Sequence, residues 1–208
     1  MSRSDLPTDE TASFRVRALD ASTWPDFAQL VERHNGVWGG CWCLAFHSEG
    51  LGQGRTAAQN RSIKEQRVRE GRAHAALVYE AQACVGWCQF GSADELPRVK
   101  SLRAYERGLT TLPDWRITCF FIDRRRRGRG VASAALEGAL AQIAELGGGV
   151  VESYPADMPD AKLASGFGFN ANVAMFERHG FERLRLIAMN RWVVARRVEP
   201  AIAGRFPD

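Results

Sequence analysis

Five arginines and two glycines fall within seven consecutive positions, Arg124-Arg125-Arg126-Arg127-Gly128-Arg129-Gly130, directly behind the run Trp115-Arg116-Ile117-Thr118-Cys119-Phe120-Phe121-Ile122. A buried strand that passes through a glycine-bearing turn into a helix makes an anion site. Glycines let backbone N–H groups approach the anion, the helix N-terminus adds the positive end of its dipole, and arginines suit a pyrophosphate or a ribose phosphate. No Lys-Ser/Thr pair follows the last glycine, so the turn fails as a P-loop, and the Gly-x-Gly-x-x-Gly of a dinucleotide fingerprint is missing. Basic surfaces that bind nucleic acid spread over a face with interleaved aromatic residues. Here the basic cluster is confined to one turn and the net charge is only +4, so a phosphate-bearing small ligand is expected and nucleic acid is not.

The remaining chemistry-bearing residues are more dispersed. Five cysteines (Cys41, Cys43, Cys84, Cys88, Cys119) are an odd number set largely in apolar runs, which points to reduced thiols and a cytoplasmic location. Cys84 and Cys88 are expected on the same face of a strand, two pleats apart, a poor metal clamp. His34, His47, His74 and His179 are scattered. No metal site is expected. Cys41 and Cys43 have no nearby His-Asp arrangement and are read as small buried thiols.

The elements that must position these groups follow from periodicity. The chain of 208 residues, 45% hydrophobic and 25% charged, fits one compact domain. Residues 1–11 are expected to be a disordered tail, 12–198 the domain and 199–208 a second tail. No signal peptide or membrane-spanning run is read, so no membrane association is expected. Alternation over residues 13–19 gives a first strand. A helix through Trp24, Phe27, Leu30 and Val31 follows, capped by Asp20 or Ser22. Residues 56–69 read as a charged surface helix, 74–80 and 83–91 as a hairpin, and 94–109 as partly helical. Trp115–Ile122 is the strongest strand signal, followed after the arginine turn by a helix over 131–146. A strand over 150–154, a loop over 156–169, a short helix over 172–179 and a hairpin over 181–189 and 191–198 complete the order. These elements imply a mixed sheet with helices on both faces.

Arg125, Gly128 and Gly130, placed between the fourth strand and a long helix, resemble the Q/R-x-x-G-x-G/A motif of the GNAT acetyltransferase superfamily. Asn172-Val173-Ala174-Met175-Phe176-Glu177-Arg178-His179-Gly180-Phe181 is similar to the family's last helix, which ends in a Gly-Phe pair before the final hairpin. The order of elements matches from Phe14 to about Arg197. The resemblance implies a mostly antiparallel α/β sheet whose fourth and fifth strands splay to admit acetyl-CoA or another acyl-CoA. Phe120, Phe121 and Ile122 would then offer strand backbone to the pantetheine arm and the acyl carbonyl. Arg125, Arg126, Arg127, Gly128, Arg129, Gly130, Val131 and Ala132 would cradle the pyrophosphate, with Asn172 and Phe176 beside the cofactor. Direct attack of an amine, from a small molecule or a protein, on the thioester in a ternary complex is the implied reaction. A homodimer through the final strands is common in the family.

One departure shapes the mechanism. Many members carry a tyrosine on the last helix that protonates the leaving thiolate, and the matching residue here is Phe176, which has no proton to give. Tyr154 is the nearest alternative phenol. Among the carboxylates considered as a base, Glu80, Glu152 and Asp123, Glu152 is favoured for its place on the fifth strand beside the splay, while Glu80 is expected to face solvent at a hairpin turn. The aromatic segment between the first two helices, with Trp38, Trp42, Phe46 and His47, and Trp87 on the third strand, is weighed as either acceptor pocket or core. Phe176 also keeps open an alternative, a CoA-binding regulatory or interaction module with little or no catalysis.

Overall fold

A computed structural model describes residues 14–52, 54–158 and 171–202. The expected tail over 1–11, residues 159–169 of the expected loop and the last six residues lie outside the described residues.

Among the described residues, seven strands form one sheet: β1 (Arg15–Ala18), β2 (His74–Glu80), β3 (Ala83–Ser92), β4 (Trp115–Ile122), β5 (Gly149–Ser153), β6 (Glu182–Ala188) and β7 (Arg191–Val198). Their spatial order is β1-β2-β3-β4-β5-β7-β6. Every neighbouring pair is antiparallel except β4–β5. The helices are α1 (Trp24–Glu32), α2 (Ala57–Arg69), α3 (Leu102–Arg107), α4 (Val131–Glu145) and α5 (Val173–Arg178), with a 3-10 turn at Arg124–Arg126. This is the mixed, mostly antiparallel architecture expected from the sequence.

One face of the sheet carries Leu77, Trp87 and Cys119 against α1 and the segment from Val37 to Phe46. The opposite face carries Val78, Phe90 and Phe120 against α4 and α5. In α4, Ala135, Leu136, Ala139, Leu140 and Ile143 recur at helical spacing and are the buried stripe. Gly86 of β3 lies where α4 begins: a Cβ there would come within 2.9 Å of the Phe121 carbonyl and the Val131 side chain. That contact seats the start of α4 against the end of β4.

Several local expectations are corrected. Thr23, not Asp20 or Ser22, occupies the N-cap of α1, and the Asp20 carboxylate instead accepts the N–H groups of Ser22 and Thr23. The helix read as a surface element buries Asn60, Lys64, Arg67 and Val68, although its capping box between Thr56 and Gln59 is regular. Charged residues sent it to the surface in the sequence reading; their long apolar stems let it pack. Cys84 and Cys88 face opposite sides of the sheet, because a register shift between β2 and β3 places Val78 opposite Gly86 and Tyr79 opposite Cys84, leaving Val85 as an extra residue. Glu80 does not face solvent unpaired: it forms ion pairs with Arg126 and with Arg129.

Candidate active site

The site begins with β4. Its pairing to β5 covers only Trp115–Val151, Arg116–Glu152 and Ile117–Ser153, yet β4 runs on to Ile122. From Thr118 onward, β5 offers that edge no partner. The cause is local: after Ser153 the chain turns away and follows β7, with Trp192 donating to the Pro155 carbonyl and Asp157 donating to that of Asn190. Pro155 has no N–H with which to extend a ladder. A second irregularity coincides with the fork. Gln89 pairs with Cys119 and Phe90 with Ile117, so Thr118 is an extra residue in β4, a bulge at the point where the two strands part.

Beyond β4 the chain enters the arginine turn. Asp123 donates its N–H to the Val85 carbonyl, and its carboxylate accepts the Arg125 N–H at 3.0 Å. Burial pushes the Asp123 carboxyl up, but the Arg125 N–H and His34, 3.3 Å away, outweigh it and hold the group below its ordinary value. Gly128 and Gly130 have φ of 74° and 84°, the left-handed region that glycine enters without strain. Gly130 is the N-cap of α4 and no side chain caps that helix, so its first-turn N–H groups are free of intrahelical acceptors. Nothing lies within 4 Å of a Cβ built at Gly128, and only a Phe14 ring carbon, at 3.9 Å, near one at Gly130. A cavity of about 620 Å³ borders the turn on the α1 side, lined by Arg33, His34, Asp123 and Arg124 to Arg126 among others. Among the described residues, a strand edge beyond its ladder running into an uncapped helix N-terminus fits a ligand with an extended amide arm and a pyrophosphate.

Two buried polar clusters flank the fork. In the first, the Glu152 carboxylate accepts from the Tyr105 hydroxyl at 2.8 Å and from the Tyr154 hydroxyl at 3.0 Å. Arg116 completes it, donating to the Leu96 carbonyl at 2.7 Å and to the Tyr105 oxygen at 3.4 Å. All four residues are buried. Burial raises the pKa of both phenols above the ordinary tyrosine value, so both remain protonated donors. In the second, His47, Lys64, Gln89 and Thr118 form a hydrogen-bonded series, and all four are buried.

The sequence-derived residues divide accordingly. Phe120, Phe121 and Ile122 lie on the free edge, and Arg125 to Ala132 form the turn and the start of α4. Glu152 and Tyr154 are brought together. Asn172 is the N-cap of α5: its side chain accepts from the Ala174 N–H and donates to the Met158 carbonyl. Phe176 is fully buried, edge-on to Phe120 and Phe181. Trp42, Phe46, His47 and Trp87 are enclosed in the core instead of lining an open cavity, while Trp38 is half exposed. The indoles of Trp24 and Trp42 stack, and Trp87 stacks on Phe121. The five cysteines are buried free thiols, as read from sequence. No group of histidine, cysteine and carboxylate side chains suited to a metal occurs among the described residues, and none of the described helices is long and apolar enough to cross a membrane.

Sequence reasoning missed Tyr105, Arg116, Lys64, Gln89 and Thr118. Arg116 had a usable signal, since an arginine inside the most apolar strand demands a buried partner. Lys64 had none.

Comparison with known proteins agrees with this geometry. A family model described as acetyltransferase (GNAT) family matches residues 45–181. Among solved structures, the histone acetyltransferase HPA2 and related acetyltransferase from Corynebacterium glutamicum is 15% identical, with a TM-score of 0.52 over 91% of this chain and 98% of that one. A protein from Desulfovibrio desulfuricans assigned to the GNAT acetyltransferases is 13% identical, with a TM-score of 0.50 over 91% of this chain and 100% of that one. No curated relative is matched by sequence. At these identities the structural likeness concerns the fold, and the family model carries the assignment.

Proposed function

The chain belongs to the acetyltransferase (GNAT) family, and from that premise we propose that it moves an acetyl group from acetyl-CoA to an amine by direct attack within a ternary complex, in the cytoplasm. The observation that carries this reading is the fork of β4 and β5 at Thr118, leading into the uncapped N-terminus of α4. The pantetheine arm would lie along the free edge of Phe120 to Ile122, and the pyrophosphate on the N–H groups of Gly128 to Ala132 with the neighbouring arginines. The donor supplies a thioester, whose thiolate is a tolerable leaving group because a thiol has a pKa of about 8.5.

The reaction has three needs: a proton must leave the amine, the developing oxyanion must be stabilised and the leaving thiolate must gain a proton. Glu152 and Tyr154 supply the first. As the amine attacks, its proton passes to the Tyr154 oxygen while the Tyr154 proton moves to Glu152, along the 3.0 Å hydrogen bond already formed. Backbone N–H groups released at the β4 bulge supply the second. Phe176 leaves the thiolate to be protonated by water, and its complete burial against Phe120 and Phe181 favours the second reading, a CoA-binding module that does not turn over.

Calorimetric titration with acetyl-CoA, followed by thiol release in the presence of a panel of amines, separates these readings. Binding and turnover are expected. Gly130→Val is expected to weaken acetyl-CoA by about tenfold or more, equivalent to about 1.4 kcal/mol, because the side chain occupies the anion's path and pulls the turn away from its φ of 84°. Binding without thiol release for any amine would favour the module. Unchanged binding in the variant would remove the arginine-glycine turn from the site.

A further inference from the structure

The second buried cluster has a direction. His47 Nδ1 lies 3.1 Å from the Glu95 carbonyl oxygen, which can only accept, so Nδ1 carries the proton and Nε2 a lone pair. Burial first, and then the neighbouring Lys64, push the His47 pKa down to about 2, so the ring is neutral. Its Nε2 faces Lys64 Nζ at 3.1 Å and accepts from it. Lys64 also donates to Gln89 Oε1 at 3.2 Å. A lysine offers no acceptor to an amide N–H, so the amide oxygen of Gln89 must face Lys64 and its nitrogen must face the other way. That nitrogen donates to Thr118 Oγ1 at 3.2 Å. The Thr118 oxygen is therefore used as an acceptor on the β3 side, and its own proton is turned away from Gln89.

Thr118 is the bulged residue of β4 and the first beyond the β5 ladder. Its hydroxyl is fully buried, and Gln89 is its recorded hydrogen-bond partner among the described residues. Four buried polar side chains arranged with one polarity, ending on a hydroxyl at the fork, are more than packing requires, since an apolar set of the same shape would satisfy the core equally well.

We propose that the Thr118 hydroxyl donates a hydrogen bond to the thioester carbonyl of the bound acyl donor, and that His47, Lys64 and Gln89 are positioning residues that hold it in that role. The inference rests on the acyl-CoA reading of the β4 edge. As the amine nitrogen bonds to the carbonyl carbon, the carbonyl π electrons move onto oxygen, where the Thr118 O–H stabilises the charge. Re-formation of the carbonyl then breaks the carbon–sulfur bond and expels the thiolate. Thr118 thus adds a side-chain donor to the backbone N–H groups of the bulge.

The test uses acetyl-CoA labelled with heavy carbon at the thioester carbonyl and bound to the full chain, with its carbonyl resonance recorded by NMR and its slow hydrolysis measured as thiol release. In the parent, the resonance is expected to move downfield on binding. Thr118→Val should lose that displacement and slow hydrolysis on the order of a hundredfold, the effect of removing one oxyanion donor, with the Kd for acetyl-CoA within about twofold of the parent, less than 0.5 kcal/mol. Thr118→Ser, which keeps the hydroxyl, should retain both. Gln89→Leu and Lys64→Met should show intermediate displacement at unchanged Kd, a signature that a merely structural role would not produce. Thr118→Val with the parental resonance and rate would overturn the inference alone, as would slower hydrolysis accompanied by an equal loss in Thr118→Ser. Absence of acetyl-CoA binding by the parent would overturn the acyl-CoA reading and this inference with it.

Discussion

The two buried polar clusters beside the fork solve the same problem in opposite ways. The one on β5 sets an acidic side chain beside a basic one: Glu152 and Arg116 stand side by side in register and share Tyr105 between them. The one under α2 has no carboxylate in its chain of contacts, and burial lowers the pKa of Lys64 and of His47 toward their uncharged forms. An opposite charge nearby favours the charged form of a buried group, and burial without one disfavours it. The contrast assigns different chemistry to each side. In the proposed reaction the β5 cluster receives the amine proton, whereas the α2 cluster orients a hydroxyl.

That comparison can be broken at its strongest point. Glu152→Gln removes the charge and keeps an acceptor, leaving Arg116 buried without its counter-charge, and is expected to destabilise the fold by about 3 kcal/mol in urea unfolding. In a double-mutant cycle with Arg116→Met the two losses should fall short of additivity. If Glu152→Gln proves milder than any change in the α2 cluster, the division into charged and neutral sides is wrong.

Lys64→Met should cost less, about 2 kcal/mol, because it strands two neutral hydrogen-bonding groups instead of an ion. It also has a pH signature. The lysine pKa is lowered in the folded protein, so the unfolded chain binds the extra proton, and stability rises with pH up to the unfolded value near 10.5. The unfolding free energy of the parent should therefore climb more steeply between about pH 8 and 10 than that of Lys64→Met. Equal slopes would mean that burial does not lower the Lys64 pKa.

At neutral pH the smallest effect concerns His47. Its folded pKa of about 2 lies below the ordinary 6.5, so the stabilisation it carries is present above 6.5 and is lost as pH falls through the interval toward 2. His47→Gln keeps a donor for Glu95 and an acceptor for Lys64. Below pH 6.5 its stability should fall less steeply than the parent's, by up to about 1.4 kcal/mol per pH unit.

Legibility in the sequence tracks how local the physics is. The turn at Arg124–Arg126, the helix after Thr56 and α4 are set by neighbours three or four residues apart, and the two helices were read with boundaries nearly right. Phe176 was identified at the family's tyrosine position by its spacing to Gly180-Phe181, and Glu152 and Tyr154 were singled out by strand position. The register shifts were not readable. One extra residue at Val85 moved Cys84 and Cys88 to opposite faces, and another at Thr118 placed a hydroxyl at the fork. Nor could the pattern of α2 show that Lys64 and Arg67 point inward, because a run of charged residues reads as solvated until the neighbouring surfaces are known.

The sequence by itself determined the family and the strand-turn-helix that follows β4, because each is written in short, contiguous spacing. Tertiary structure alone decided which polar residues meet. Tyr105 reaches Glu152 across 47 positions, and Gln89 reaches Thr118 across 29. Such contacts depend on strand register and on where β5 leaves β4, and these emerge only when the whole sheet is assembled.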